Sequence, residues 1–462
     1  MENHPGQGAS DVTRQSGKRE KRYKTSRDAY GRFASSGEPE IACRLCGFLR
    51  VVKSGFNFTK EGPKQRYKCK KCGRTFTPTL KLVKKNRFSE GADRDIQEAK
   101  ITGLRNFRKL VEREVYLLLD FELYPQAKYD TCDFLDLLTH MAITRDFAEN
   151  GSKTFGLVAK KKAPSADDLL WHLSGFCQNE IEERFATVFD RIFRTANGAV
   201  PLRGKRLDVA IDFHDWPCRC KGVEGVIRIP RKKGTSRAYK FATINVVKPG
   251  FRFTLLALPV RRNSEMIGVV EKLLKFAMGR IKINRVYCDR WFYKREIVQI
   301  FKRLKVKFII RAKESAGIKK IGVAGSLPAV IDYEMVGHHP PCGREKVKLF
   351  IVKGEKDDMV YFITNSNVNE GNADSFAKLY RKRWGIETSY RVKGNFKPKT
   401  TSRRYVIRLF YFMFSACLYN LWVLANIVVG MAVLKFTLGE PFITAKFFGV
   451  ILYLPTVPFD PG

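Results

Sequence analysis

From residue 84 to about 200, apolar positions recur at helical spacing. Ile101, Leu104, Leu110, Val111, Val115 and Leu118 fall on one side of a helix that the pattern carries to Tyr124, where Pro125 stops it. The same spacing predicts helices over 131–150 and 165–195, the second opened by Pro164-Ser165 with Asp167 and Asp168 in its first turn. At Leu207 the period changes. LDVAID reads as a short buried strand ending on Asp212, and Phe213-His214-Asp215-Trp216-Pro217 then breaks it. Strands follow over 241–247 and 251–260, joined by the turn Lys248-Pro249-Gly250. An amphipathic helix over 265–280 carries Ile267, Val270, Leu274 and Met278 on one side. A strand over 285–288 stops at Asp289, a helix covers 296–304, and a further strand covers 306–310. Three strands followed by helix, strand, helix, strand make a mixed α/β sheet whose last units are parallel.

Two stretches stand apart from this alternation. Residues 314–370 read as a β-rich insertion, with a hairpin of 347–352 and 359–364 around Lys353 to Asp358. An uncharged run from Leu409 to Leu434, bracketed by Arg408 and Lys435, is long enough to span a bilayer. It holds Asn420 and Asn426 and has no second run like it, so a helix buried beneath the sheet is the preferred reading.

Composition changes the picture at the N-terminus and across the whole chain. Residues 1–40 are rich in Gly, Ser, Arg and Lys and poor in aliphatics, as expected of a disordered basic arm with no secretion signal. Cys43-Arg-Leu-Cys46 and Cys69-Lys-Lys-Cys72 are separated by 22 residues, and each pair is followed by Gly, Gly47 and Gly73. That spacing fits a zinc ribbon over 41–80, whose four thiolates close a structural Zn²⁺ site. The chain has 86 Lys and Arg against 46 acids, a formal net charge of +40 spread along its length. A polyanion is the natural partner, nucleic acid before an anionic membrane. Eleven cysteines, with only the CxxC pairs in register, fit a reducing compartment.

The candidate chemistry lies in three acids. Tyr380 to Thr401 holds a single acid, Glu387, among many cations, and Tyr380, Arg383, Glu387 and Tyr390 share one helical face. Asp212 and Asp289 close two separate strands, where strand ends converge. Three carboxylates crowd together only if cations neutralise them. Two Mg²⁺ (or Mn²⁺) ions would do so and would support in-line displacement at phosphorus. Each acid taken alone reads better as a cap or a salt bridge; the metal reading rests on the three together. Asp208 and Asp215 flank Asp212, and Asp212 is preferred because it ends the strand. His214 reads as a neighbour of the site, and Trp291 and Trp384 as packing residues or as platforms for an unpaired base.

Four segments carry a resemblance: VAIDFHDWP around Asp212, GTSRAYKFATINV from Gly234, VYCDRWFY around Asp289 and YRKRWGIETSYRVK from Tyr380. Across residues 205 to about 420 the chain resembles the DDE transposases of prokaryotic insertion sequences, in the branch with a Tyr-Arg-Glu-Lys signature and a β-strand insertion before the last acid. The resemblance implies a ribonuclease-H-like fold over 205–313 and 371–437, interrupted by the insertion at 314–370. The helical stretch 84–200 becomes a DNA-binding region, and 438–462 a C-terminal tail. It implies that Asp212, Asp289 and Glu387 hold the metal ions and that Tyr380, Arg383 and Lys393 contact DNA. The implied partners are double-stranded DNA, as transposon ends and target, and a second copy of the chain in a homodimer. The implied setting is the cytoplasm, at a prokaryotic chromosome, with no membrane. The family usually places six residues between Glu and Lys; here five separate Glu387 from Lys393, Gly394 takes the expected place, and Lys397 is a further candidate. Trp216-Pro217-Cys218 also departs from the Pro-Tyr-Tyr-Gly-like sequence of relatives. The alternative function is a catalytically inactive zinc-ribbon DNA-binding protein derived from a transposase.

Overall fold

A computed structural model describes residues 51–59, 62–70, 72–76, 90–159, 163–200, 205–315, 318, 327–336, 343–354, 358–434 and 441–453. The basic arm at 1–40, Cys43 and Cys46 lie outside the described residues. The chain divides into two compact units, 1–90 and 91–462.

The first unit holds a three-stranded antiparallel sheet of β1 (Val51–Thr59), β2 (Gly62–Cys69) and β3 (Thr75–Phe76) in that spatial order. At the end of β2, Gly73 takes a positive φ of 71° and donates its N–H to the Cys69 carbonyl, folding the chain so that Cys69 and Cys72 share one tight turn.

The second unit begins with helices, each ended by identifiable chemistry. α1 (Glu90–Glu114) stops ten residues before Tyr124, and a 3-10 turn at Tyr116–Leu119 sends Tyr116 and Leu119 into the core. α2 (Thr131–Thr144) opens with a reciprocal Asp130–Asp133 capping box and closes on Arg145, which takes the left-handed conformation at φ 55°. α3 (Ala148–Ala159) therefore forms separately from α2 where the sequence pattern reads as one helix. Ser165 caps α4 (Ala166–Gly175) as its position predicts, and a break at Phe176–Cys177 separates it from α5 (Gln178–Ala199).

The sheet follows: β4 (Leu207–Pro217), β5 (Val226–Lys232), β6 (Thr235–Val246) and β7 (Thr254–Val260). α6 (Met266–Met278), β8 (Ile283–Cys288), α7 (Arg295–Arg303) and β9 (Phe308–Arg311) complete the alternating part. β6 pairs antiparallel with both β4 and β7, while β8 and β9 add parallel on the other side of β4. Along the five strands β4, β6, β7, β8 and β9, taken as first to fifth, the spatial order is third, second, first, fourth, fifth, with the second antiparallel. That is the ribonuclease-H-like arrangement. Two features differ from the sequence pattern. β4 runs on through Phe213 to Pro217, because its later half still pairs with β6, so Asp212 does not end the strand. β5, unmarked in the sequence, is a hairpin partner for the early half of β6.

β10 (Ala329–Val336), β11 (Arg344–Lys353) and β12 (Met359–Thr364) form the expected β-rich insertion. It is not a separate layer: β12 pairs antiparallel with β9, and the sheet grows to nine strands among the described residues. α8 (Glu370–Tyr380), a 3-10 turn at Arg381–Arg383 and α9 (Trp384–Asn395) then return across the sheet.

Side-chain alternation gives the sheet two buried faces. Val209, Ile211, Val286, Cys288, Phe308 and Ile310 point into the main core. Ala210, Tyr287 and Ile309 point to the opposite face, under Ala373 and Tyr380 of α8 and Ile386 of α9. α10 (Tyr405–Leu434) is long and apolar enough to cross a membrane, and 72% of its most apolar window is buried inside the protein. It packs on α5 and stacks Phe412 on Phe241 of β6 at 3.9 Å. Its Asn420 pairs with both backbone groups of Thr254, so an amide side chain continues the hydrogen bonding of β7. Within 438–462, read as a tail, α11 (Ala445–Tyr453) packs on α2, and its fully buried Phe448 meets the rings of Phe107 and Phe396 edge-on.

Candidate active site

Register brings the first two acids together. The parallel ladder of β4 and β8 pairs Ala210 with Tyr287 and Ile211 with Cys288. The next step sets Asp212 beside Asp289, about 4.8 Å apart along the hydrogen-bonding direction of a sheet, with both side chains on the face covered by α8 and α9. Each carboxylate is turned by a local bond: Asp212 Oδ1 accepts from the Phe213 N–H at 2.9 Å, and Asp289 Oδ1 accepts from the Trp291 N–H at 2.9 Å.

Glu387 comes from the first turn of α9 on that same side of the sheet. Arg383, one turn earlier, donates to its Oε1 at 2.5 Å, and the Glu387 side chain is 57% exposed. The charges meet at Asp212. Burial and then the charge of Asp289 push its carboxyl up to about 7, with a smaller push from Glu387, while Arg383 and the Phe213 N–H pull the other way. Two other carboxylates thus act on Asp212, a crowding of negative charge that a cation would relieve. Among the described residues no three His, Cys, Asp or Glu side chains already stand close enough to hold an ion. Asp212 and Asp289 are brought together; Glu387 faces them but is held by Arg383. The donors are hard carboxylate oxygens, and the crowding on Asp212 fits a hard divalent cation.

The three residues expected at DNA are placed otherwise. Tyr380 is 6% exposed, and its hydroxyl donates to the Cys288 carbonyl at 3.1 Å, one residue before Asp289. Arg383 is 9% exposed and spans Tyr380 and Glu387. Lys393 is 3% exposed; its Nζ donates to Asn245 Oδ1 at 3.1 Å and lies over the rings of Tyr390 and Tyr419. A chain of hydrogen bonds runs on from Asn245 Nδ2 to Thr243 Oγ1, from there to the Tyr390 hydroxyl, and from Tyr390 to the Asp212 carbonyl. None of the three presents an open face to a ligand: Tyr380 and Lys393 brace the strands that carry the acids, and Arg383 holds the third acid.

The neighbours also resolve. Asp208 lies four residues back on β4 and accepts from Lys382, Asn284 and Tyr287, pinning the start of α9 to the sheet. Asp215 pairs with Lys240. His214 is stacked on Tyr390 and Phe412, and burial among lysines holds it down to about 3, so it stays neutral and is no general base near neutrality. Trp291 packs edge-on to Phe213 at 4.6 Å, whereas Trp384 is 57% exposed beside Glu387. Sequence spacing does not reveal the pins at Asp208 and Tyr380, because their partners lie on strands 79 and 92 residues away.

No curated protein matches the chain. Among solved structures, the cryo-EM structure of the piggyBac transposase synaptic complex with hairpin DNA is similar at 14% identity over 77% of this chain and 79% of that one, with a TM-score of 0.46. Residues 206–421 match the family described as Transposase DDE domain, a span that runs from the start of β4 into α10 and includes Asp212, Asp289 and Glu387.

Proposed function

We propose that the chain is a DNA transposase that cleaves double-stranded DNA at the ends of an insertion sequence and joins them to target DNA. The observation that carries the reading is the registered pair Asp212 and Asp289 under the Glu387 helix, within the matched domain. Asp212, Asp289 and Glu387 would hold two Mg²⁺ or Mn²⁺ ions, which supply charge neutralisation and an activated oxygen for displacement at phosphorus. The chain's own residues do the positioning. β4 and β8 fix two carboxylates to adjacent strands, and the Tyr380 hydroxyl locks the entry to α9 against β8. Arg383 supplies a cation between Glu387 and Asp212, compensating the acids before an ion arrives. Trp384, exposed next to Glu387, offers an aromatic face to an unpaired base. The tight turn of Cys69 and Cys72 supports the zinc ribbon, with Cys43 and Cys46 completing a structural Zn²⁺ site. The excess of 40 positive charges supports a DNA partner, handled by a homodimer at a prokaryotic chromosome.

One observation favours the second reading, a catalytically inactive DNA-binding relative: Glu387 is engaged by Arg383. A cleavage assay separates the two. End-labelled duplex carrying the element's termini, with Mg²⁺ or Mn²⁺, is expected to be nicked by the wild-type protein. Asp289→Asn should bind that duplex equally and lose cleavage by more than the 10- to 100-fold that outer-sphere changes typically cost, roughly 10³-fold. Binding with no cleavage by the wild type would establish the inactive reading.

A further inference from the structure

Beyond the acids, a second feature of the same domain points to a ligand. A cavity of about 200 Å³ is lined by Arg145, Phe147, Trp216, Lys397, Lys399 and Thr400. Its walls come from three separated parts of the chain: the turn between α2 and α3, the end of β4, and the segment after α9. The Lys399 N–H donates to the Asp146 carbonyl at 2.9 Å and ties the first wall to the third. Arg408 fixes the rim by donating to the carbonyls of Ser402 and Thr400.

Cations line this cavity and acids do not. The Lys397 ammonium lies over the Trp216 ring at 3.9 Å, Arg408 over the same ring at 5.3 Å, and Lys399 over Phe147 at 5.6 Å. Among the described residues no carboxylate pairs with Arg145, Lys397 or Lys399. The neighbouring acid, Asp146, is turned to the Phe147 N–H and to Asn150. Burial, with the charges of Lys233, Arg145 and Arg408 added, pulls Lys397 down to about 8. Lys397 is half-buried without a counter-ion between the exposed Arg145 and Lys399, an arrangement that an anion shared by the three would relieve. Aromatic walls alone would suit a stacked base, but the Lys397 ammonium already occupies the ring of Trp216, so the pocket offers charge where a base would need an open face.

We infer that this pocket binds a phosphate group, held by Lys397, Lys399 and Arg145 over the Trp216 wall. Trp216 stands four residues beyond Asp212 on β4, about 13 Å along the strand. A phosphodiester seated here would belong to a stretch of DNA backbone close to the acids. The inference rests on the DNA reading for the source of the phosphate, though not on catalysis.

The test uses the full chain and three variants. Arg145→Gly replaces a side chain at φ 55° with the residue that conformation favours, so the fold is expected to hold or gain stability while a cation is lost. Lys399→Met and Lys397→Met remove the other two. In duplex binding measured across salt, each variant is expected to reduce the slope of log affinity against log salt by about one. With duplexes carrying one neutral methylphosphonate at successive positions, wild type is expected to show a penalty at one position that the variants lack. Orthophosphate titrated against the wild type by thermal shift separates the sources. Stabilisation that Lys397→Met abolishes, with unchanged duplex slopes, assigns the pocket to a small free phosphate. Folded variants with unchanged slopes, unchanged methylphosphonate penalties and no phosphate response would overturn the inference. A protein that binds duplex in this way but never cleaves it would refute the transposase reading and leave the pocket standing.

Discussion

At the scale of single residues, the site is organised by charges that the fold will not let relax. Asp212 is crowded by two other acids and Lys393 is sealed beneath Tyr390 and Tyr419. Burial pulls Lys393 down to about 7, with Asp212 acting the other way. A base whose folded value lies below its unfolded one contributes stability that is present at high pH and lost as pH falls through the folded value. Wild-type protein is therefore expected to gain stability between about pH 7 and pH 10, and Lys393→Met to flatten that dependence while adding about 1–2 kcal/mol at pH 7. Denaturant unfolding at pH 7 and pH 9.5 measures both; a variant with the wild-type pH dependence would show that Lys393 is charged in the fold. The closeness of Asp212 and Asp289 was legible in the sequence from their places on separate strands. The reason first given for Asp212, that it ends its strand, does not hold; what singles it out is its register beside Asp289.

At the scale of elements, the position of α9 decides whether Glu387 can join the pair. Two polar pins set it: Lys382 on Asp208 and the Tyr380 hydroxyl on the Cys288 carbonyl. Tyr380→Phe keeps the ring packing on Phe362 and removes only the hydroxyl. It is expected to cost about 0.5–1.5 kcal/mol of stability and to lower the cleavage rate with duplex affinity unchanged. Loss of duplex affinity in that variant would instead place Tyr380 at the DNA. Elements with strong periodicity, such as α6, β8 and β11, were readable from spacing alone. The break at Arg145 was not, because a left-handed Arg makes it and not Gly or Pro; nor was that at Phe176–Cys177, where Gly175 ends α4 and Cys177 caps the next helix. β5 alternates, burying Ile227 and Ile229 beside the exposed Arg228 and Pro230, but it escaped because the pattern is short and runs into Pro230 and two exposed cations.

At the scale of the whole molecule, the sheet is held between two apolar faces, and α10 supplies much of the larger one. Its composition suits a bilayer as well as a core, and only its partners decide. Asn420, fully buried, completes the hydrogen bonding of Thr254, which a lipid-facing asparagine would not do. Asn420→Ala should cost about 2–4 kcal/mol by leaving two buried backbone groups without partners. A loss below 1 kcal/mol in denaturant unfolding would remove α10 from the folded core. The overall class was legible because strand and helix periods alternate after Leu207. The joining of the insertion to β9 was not, since edge pairing leaves no local mark on β12.

The central claim is that Asp212, Asp289 and Glu387 together bind divalent metal. Mn²⁺ binding followed by electron paramagnetic resonance tests it without DNA or turnover. Wild type is expected to bind Mn²⁺, and Asp212→Asn, Asp289→Asn and Glu387→Gln each to weaken that binding by at least about tenfold. Equal Mn²⁺ binding by the wild type and all three variants would contradict the account.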